Sequence, residues 1–273
     1  MRDVRLEWLL RTQGELVAWW QLRALGWTPG GIRRHREHRG WRTIHDGVYF
    51  TGKAALTAWQ RQMAAVLTAP GTVLSHASAA VRWGFLQRKL VMEIVTRPGS
   101  GGPRYLGNLL VHRSTTLAPH VDWRQGLPLT SAARTLADLS PHLGEEQIGR
   151  AFRESLRLRT TTIDDIAEAV RGRRDTAVLG DLCRRYAHLP YLRTRSDAEG
   201  RALELYADAG KPLPELNVKI NGYEADLVDG DRVIEIDGSQ FHLFPDEDEK
   251  RDAAWSEAGY VVTRRPSDAV YID

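Results

Sequence analysis

The sequence predicts a multidomain chain of the α/β class, and three observations carry that expectation. Its 273 residues exceed one average domain, so two or three modules are expected, each with its own core. Apolar residues at helical spacing and short alternating runs both recur along the chain, so helices and strands are mixed. The last 78 residues read helix, strand, strand, strand, helix, strand, and a helical crossover before the final strand implies at least one parallel pair. The expected modules are residues 1–52, a mixed α+β and mostly helical region 53–195, and an α/β module 196–273.

Composition narrows the function classes. A hydrophobic fraction of 42% with 27% charged residues is ordinary for soluble globular protein. No apolar run approaches the ~18 residues of a membrane helix, and MRDVRLEWLL lacks a signal-peptide hydrophobic core, so a cytoplasmic, membrane-free protein is expected. Cys183 is the only cysteine, which excludes an intramolecular disulfide or a cysteine-cluster zinc site. The net charge of +3 hides an asymmetry: residues 1–195 hold 30 Lys and Arg against 16 acids, net +14, and residues 196–273 hold 8 against 19, net −11. A basic front suits a polyanion, and an acidic back suits metal.

In the first module, Leu6, Leu9 and Leu10 have helical spacing, and Leu16, Val17, Trp20, Leu22 and Leu25 continue it into a second helix closed by Gly26. Thr28-Pro29 then reads as an N-cap followed by proline at the first helical position, and Gly40 ends the third helix. RRHREHRGWR, Arg33 to Arg42, sets five arginines and two histidines against one acid, Glu37. Long cations on one exposed helix suit phosphate contacts and a major groove, so Arg33, Arg34, Arg36, Arg39 and Arg42 are the candidate contacts to double-stranded DNA. Strand, Asp46-Gly47 turn and strand follow as a wing, completing a winged helix-turn-helix pattern. The stretch LLRTQGELVAWWQLRALGWTPGGIRRHREHRGWRTIHDGVYF resembles the N-terminal winged-helix domain of AbiEi-type antitoxins, the repressor partners of type IV toxin-antitoxin systems. That resemblance implies DNA binding and a cognate toxin or other protein partner.

In the middle region, Ala54 to Leu67 reads as an amphipathic helix stopped by Pro70, and Ser75 or His76 opens another that runs to Trp83. His76, alone at a helix start, reads as a cap or core residue. Leu90 to Val95 and Leu109 to His112 alternate as strands around the loop Arg97 to Pro103, and the remainder reads as helical. Ser131 caps Ala132 to Leu139, Gly144 to Leu158 follows, Thr162-Ile-Asp-Asp165 is a capping box for Ile163 to Val170, and Ala177 to Ala187 closes the set. The phrases SHASAAVRWGF and GLPLTSAARTLADL resemble the middle segment attached to such antitoxin-like proteins. Arg193-Thr-Arg195 is the expected linker to the last module.

That module opens with Ser196-Asp-Ala-Glu199, a helix start, and continues through a strand at Val218 to Ile220 and a turn at Asn221-Gly222. Ala225 to Val228 and Arg232 to Ile236 then flank Asp229-Gly230 as a hairpin, with Glu235 and Asp237 on one strand face and Asp226 near the start of the partner strand. Carboxylates gathered on an apolar hairpin call for a compensating cation or hydrogen bonds, so a hard divalent metal is the first expectation there, beside the alternative of a solvated hairpin face. SDAEGRALELYADAG, GYEADLV, RVIEIDGSQFH and KRDAAWSEAGYVVTRR resemble the PD-(D/E)XK nucleases, and more closely domain of unknown function 559, related to the very-short-patch-repair (Vsr) endonucleases.

The resemblance implies a restriction-endonuclease-like fold in which Asp226 and Glu235 bind Mg2+ or Mn2+, with the Ile236 carbonyl as a third ligand. Glu199 matches the helix carboxylate that approaches the metal, and equally reads as the partner in a capping box. Asp237 stands where the motif has lysine. It reads as a further metal ligand or as the mark of a fold that has lost catalysis. Lys250 or Arg251 then supplies the missing cation, and His242 serves as general base or acid. The acids Asp246 to Glu249 read as the dipole-matched first turn of a solvated helix. Two functions follow: a DNA-binding protein with a metal-dependent endonuclease domain, or a non-catalytic antitoxin or autoregulator whose C-terminal fold is an interaction module.

Overall fold

The computed structural model describes residues 2–87, 92–238 and 245–271. Its helices and strands are mixed in three sheets, as an α/β chain requires, and the chain divides into two compact units, Met1–His142 and Leu143–Asp273. Among the described residues no helix is long and apolar enough to cross a membrane.

The first unit begins with α1 (Arg2–Thr12), β1 (Leu16–Ala18), α2 (Trp19–Ala24), α3 (Pro29–Arg39), β2 (Arg42–His45) and β3 (Val48–Phe50). Leu16 and Val17, expected in the second helix, are instead a strand. Left-handed backbone at Gly14 and Glu15 turns the chain after α1, and Leu16, Val17 and Ala18 pair antiparallel with Phe50, Tyr49 and Val48. All three are fully buried, so tertiary pairing overrides their helical spacing. Leu6, Val17, Leu22, Ile32 and Tyr49 form the core that fixes the three helices on the sheet. The ends of α3 are as expected: Thr28 Oγ1 accepts from the Gly31 amide at 3.1 Å, Pro29 takes the first helical position, and Gly40 closes the helix at φ 66°.

The unit continues with α4 (Ala58–Val66), β4 (Val73–Leu74), α5 (His76–Trp83), β5 (Glu93–Pro98), β6 (Arg104–Leu106), β7 (Leu109–Ser114), β8 (Val121–Arg124), β9 (Leu127–Thr130) and α6 (Ala132–Leu139). The six strands form one sheet in the order β6-β7-β5-β4-β9-β8, with β5/β7 and β4/β9 parallel. Residues 53–195 are mixed and more helix than strand, as expected, but the strands lie before Thr130 and most of the helix after it, and β6, β8 and β9 are unexpected. The missed hairpin β8/β9 turns at Gln125-Gly126, both at positive φ, a weaker signal than Asn-Gly, and Pro128 inside β9 reads against a strand. Its neighbours Leu127 and Leu129 are fully buried, and that burial holds the strand. The expected strand at Leu90 begins at Glu93; Leu90 and Val91 lie outside the described residues.

The second unit comprises α7 (Glu145–Arg157), α8 (Ile163–Val170), α9 (Ala177–Tyr186), α10 (Asp197–Asp208), β10 (Glu215–Ile220), β11 (Tyr223–Asp229), β12 (Arg232–Asp237), α11 (Pro245–Glu257) and β13 (Val261–Pro266). The contacts thus group the last three helices of the expected middle region with the C-terminal sheet. Arg153 of α7, almost fully buried, bridges Asp197 at 2.7 Å and Glu204 at 2.9 Å on α10. The expected linker Arg193 to Arg195 is packed, because Arg193 donates to the Leu216 carbonyl and Asn217 donates back to the Arg193 carbonyl. The sheet order is β10-β11-β12-β13, antiparallel except for the parallel pair β12/β13 that the crossover by α11 implied. Asn221-Gly222 makes the first turn; in the second, Asp229 pairs with Arg232, so the loop is Gly230-Asp231, one residue beyond the expected position. Ile220, Ala225, Val228, Val233 and Trp255 close the core between the sheet and α11.

Candidate metal centre and basic helix

The β11/β12 hairpin changes character halfway along. Backbone pairing runs from Asp229↔Arg232 to Leu227↔Ile234, and then side chains take over. Glu235 Oε1 accepts from the Asp226 amide at 3.0 Å, and Asp226 Oδ2 accepts from the Ile236 amide at 3.0 Å. Each carboxylate is thereby fixed on the opposite strand, with its second oxygen left for other partners. Glu235 shares a strand face with buried Val233 and is itself 3% exposed. Burial, and then the charge of Asp226, push Glu235 up to about 7, against the pull of the Asp226 amide, Arg251 and Arg264. Asp226 is also raised, first by burial, with the Ile236 amide and Arg251 opposing and Asp237 adding to the rise. A buried and a half-buried carboxylate that feel each other's charge are destabilised as anions, which is the condition a cation relieves.

The remaining expected residues divide. Glu199 is buried, and its oxygens accept from the Ser196 hydroxyl at 2.9 Å and the Arg195 amide at 2.8 Å, while Ser196 Oγ accepts from the Glu199 amide. It therefore caps α10, and it also feels the charge of Asp226. Asp237 is paired with Arg264 at 3.2 Å, and Arg264 also bonds Asp252 at 2.8 Å. Arg251 reaches Glu235 Oε2 at 3.3 Å and pairs with Asp248 as well. Lys250 is exposed on α11. His242 lies outside the described residues.

Arg264 is the residue that sequence reasoning missed. The parallel register sets it opposite Glu235, and that register depends on the crossover rather than on any local pattern. Among the described residues no three His, Cys, Asp or Glu side chains gather as a metal cluster. The pair Asp226 and Glu235 nevertheless suits magnesium or manganese, since magnesium keeps several waters and needs only one or two carboxylates.

On α3, Ile32 is buried, and the His35 ring stands edge-on between Trp27 and Trp41, each 4.9 Å away, so this side anchors the helix. Arg33, Arg34 and Arg39 are exposed. Arg36 is half-buried, with its guanidinium 5.7 Å from the Tyr49 ring, and Arg42 lies on β2 over Phe50 and donates to the Ala54 carbonyl. The five arginines therefore split into three that face solvent unencumbered by these ring contacts and two that also brace the fold. Compared with protein-family models and with curated proteins, the sequence gives no match.

Proposed function

We propose that the protein binds double-stranded DNA through a winged helix spanning α1 to β3 and hydrolyses phosphodiester bonds with a restriction-endonuclease-like module that includes α10 to β13. The observation that carries the nuclease reading is the crossed pair of carboxylates, Asp226 and Glu235, each held on the opposing strand and each disfavoured as an anion. These two residues would hold Mg2+ or Mn2+. When bound, such an ion would neutralise nonbridging phosphate oxygens and acidify water.

The chain's own residues have separate tasks in this reading. Asp226 and Glu235 hold a fixed negative pair for the ion. Arg264, tied to Asp237 and Asp252, brings positive charge to the position where the motif has lysine, and Arg251 supplies more against Glu235. Three exposed arginines and the exposed wing residues Arg42 and Thr43 give the phosphate backbone its contacts.

A second reading is supported by the same ion pairs. Arg264 on Asp237 and Arg251 on Glu235 already neutralise part of the acidic cluster, as they would in a non-catalytic antitoxin or autoregulator that keeps this module for protein contacts. Supercoiled plasmid incubated with the protein and Mg2+ or Mn2+ separates the two. The nuclease reading expects nicked or linear product whose formation Asp226→Ala and Glu235→Ala each slow by about 10²-fold or more. No product with either metal, or equal cutting by both variants, refutes it.

A further inference from the structure

Three histidines distant in sequence meet within the first unit. His76 is the first residue of α5, His112 lies on β7, and His142 closes the 3₁₀ turn Ser140–His142 after α6. The rings of His76 and His112 stack with centroids 3.9 Å apart, and His142 lies 5.6 Å from the first and 6.5 Å from the second.

The surroundings are built around these rings. His76 holds φ 49°, in the left-handed region that is uncommon for residues other than glycine. Its Nδ1 is 3.0 Å from Ser75 Oγ, which also accepts from the Thr96 hydroxyl at 2.8 Å. With Nδ1 as the donor to that oxygen, Nε2 presents a lone pair, the arrangement that orients metal-binding imidazoles. Behind the rings, buried Arg134 bonds Asp138 at 2.8 Å and reaches Ser114, two residues beyond His112 on the same strand. This ties α6, and the turn carrying His142, to β7. His142 is exposed, and the other two are half-buried, so the cluster opens to solvent on one side.

We propose that His76, His112 and His142 form a three-imidazole site for a zinc-like transition-metal ion, with a fourth position open to solvent and Asp138 supplying negative charge from behind. Three imidazoles and no thiolate suit zinc, nickel or copper rather than magnesium. As placed, the three side chains do not gather as a metal cluster, and the His76 and His112 rings, stacked at 21°, must turn for both to meet one ion. A zinc–nitrogen distance of about 2.0–2.1 Å sets the centroids of three tetrahedrally placed rings about 5 Å apart. The observed separations of 3.9, 5.6 and 6.5 Å bracket that value. This site is independent of the carboxylate pair and of any nuclease activity.

The test is zinc titration by calorimetry on the full chain carrying Asp226→Ala and Glu235→Ala, with cobalt substitution read by visible absorption. The proposal expects one equivalent of zinc, a tetrahedral cobalt spectrum, and affinity at least tenfold lower in His142→Gln and in His112→Gln. His142→Gln removes an exposed side chain, and its circular dichroism should match the parent's. His76→Asn keeps a residue that tolerates left-handed backbone. Absence of stoichiometric zinc in the parent, or unchanged affinity in His142→Gln and His112→Gln, overturns the assignment.

Discussion

The basic helix and the acidic hairpin carry opposite charge by opposite means. On α3, Arg33, Arg34 and Arg39 stand in water on one continuous segment, where charge costs almost nothing to maintain. On β11 and β12, Glu235 is buried and Asp226 half-buried, and both are raised by burial. An exposed set acts at a distance and is weakened by salt, and a buried set stores unfavourable energy that one specific ligand releases. The first resembles a surface for a polyanion of any sequence, and the second a site for a small ion.

The largest effect should come from breaking the buried set. Glu235→Ala or Asp226→Ala should lower metal-dependent plasmid cleavage by about 10²–10³-fold, the scale seen when one group that stabilises transition-state charge is removed. The same substitutions should leave DNA affinity measured without metal nearly unchanged, since the proposed reading assigns that affinity to α3.

The next effect is on stability and has a defined sign. The folded value of Glu235, about 7, lies above its ordinary 4.5, so the folded chain binds this proton more tightly than the unfolded one. The resulting stabilisation is fully present below about 4.5 and is lost as pH rises through about 7. A displacement of that size corresponds to roughly 3 kcal/mol at most. Urea unfolding without metal should therefore show stability falling over that window. Glu235→Gln should flatten the fall, and Mn2+ should reverse it in the parent but not in the variant.

The exposed set gives a smaller, salt-dependent change. Arg33→Ala, Arg34→Ala and Arg39→Ala together should lower DNA affinity by roughly tenfold to a hundredfold and reduce the slope of log affinity against log salt by up to about 3, near 0.9 per lost phosphate contact. Arg36→Ala and Arg42→Ala should also destabilise the fold, because those side chains cover Tyr49 and Phe50. Equal stability losses across all five arginines would erase the distinction between them.

Ser196→Ala gives the smallest effect. Loss of this cap should cost about 1 kcal/mol of stability. Metal affinity should be unchanged if Glu199 serves only the helix, and a weaker metal affinity would return Glu199 to the ion.

Legibility in the sequence followed the range of the interaction. Thr28-Pro29 with Gly40, the Thr162 to Asp165 box and the Asn221-Gly222 turn act within a few residues, and each is where the sequence predicts it. The strand Leu16–Ala18 and the Pro128-containing strand exist because distant partners pair with them, so local spacing misreads both. The same limit applies to the site. Asp226 and Glu235 are visible as acids on a hairpin, whereas Arg264 opposite Glu235 depends on a parallel register closed by α11. The packing of α7 on α10 is likewise long-range, with Arg153 reaching Asp197 and Glu204, 44 and 51 residues away.

Calorimetric titration of the full chain with Mn2+ at pH 8, beside Asp226→Ala in the His142→Gln background, tests the carboxylate pair most directly. The expected result is saturable binding in the parent background that disappears with Asp226→Ala. Equal binding in both, or none in either, contradicts a metal centre on this hairpin.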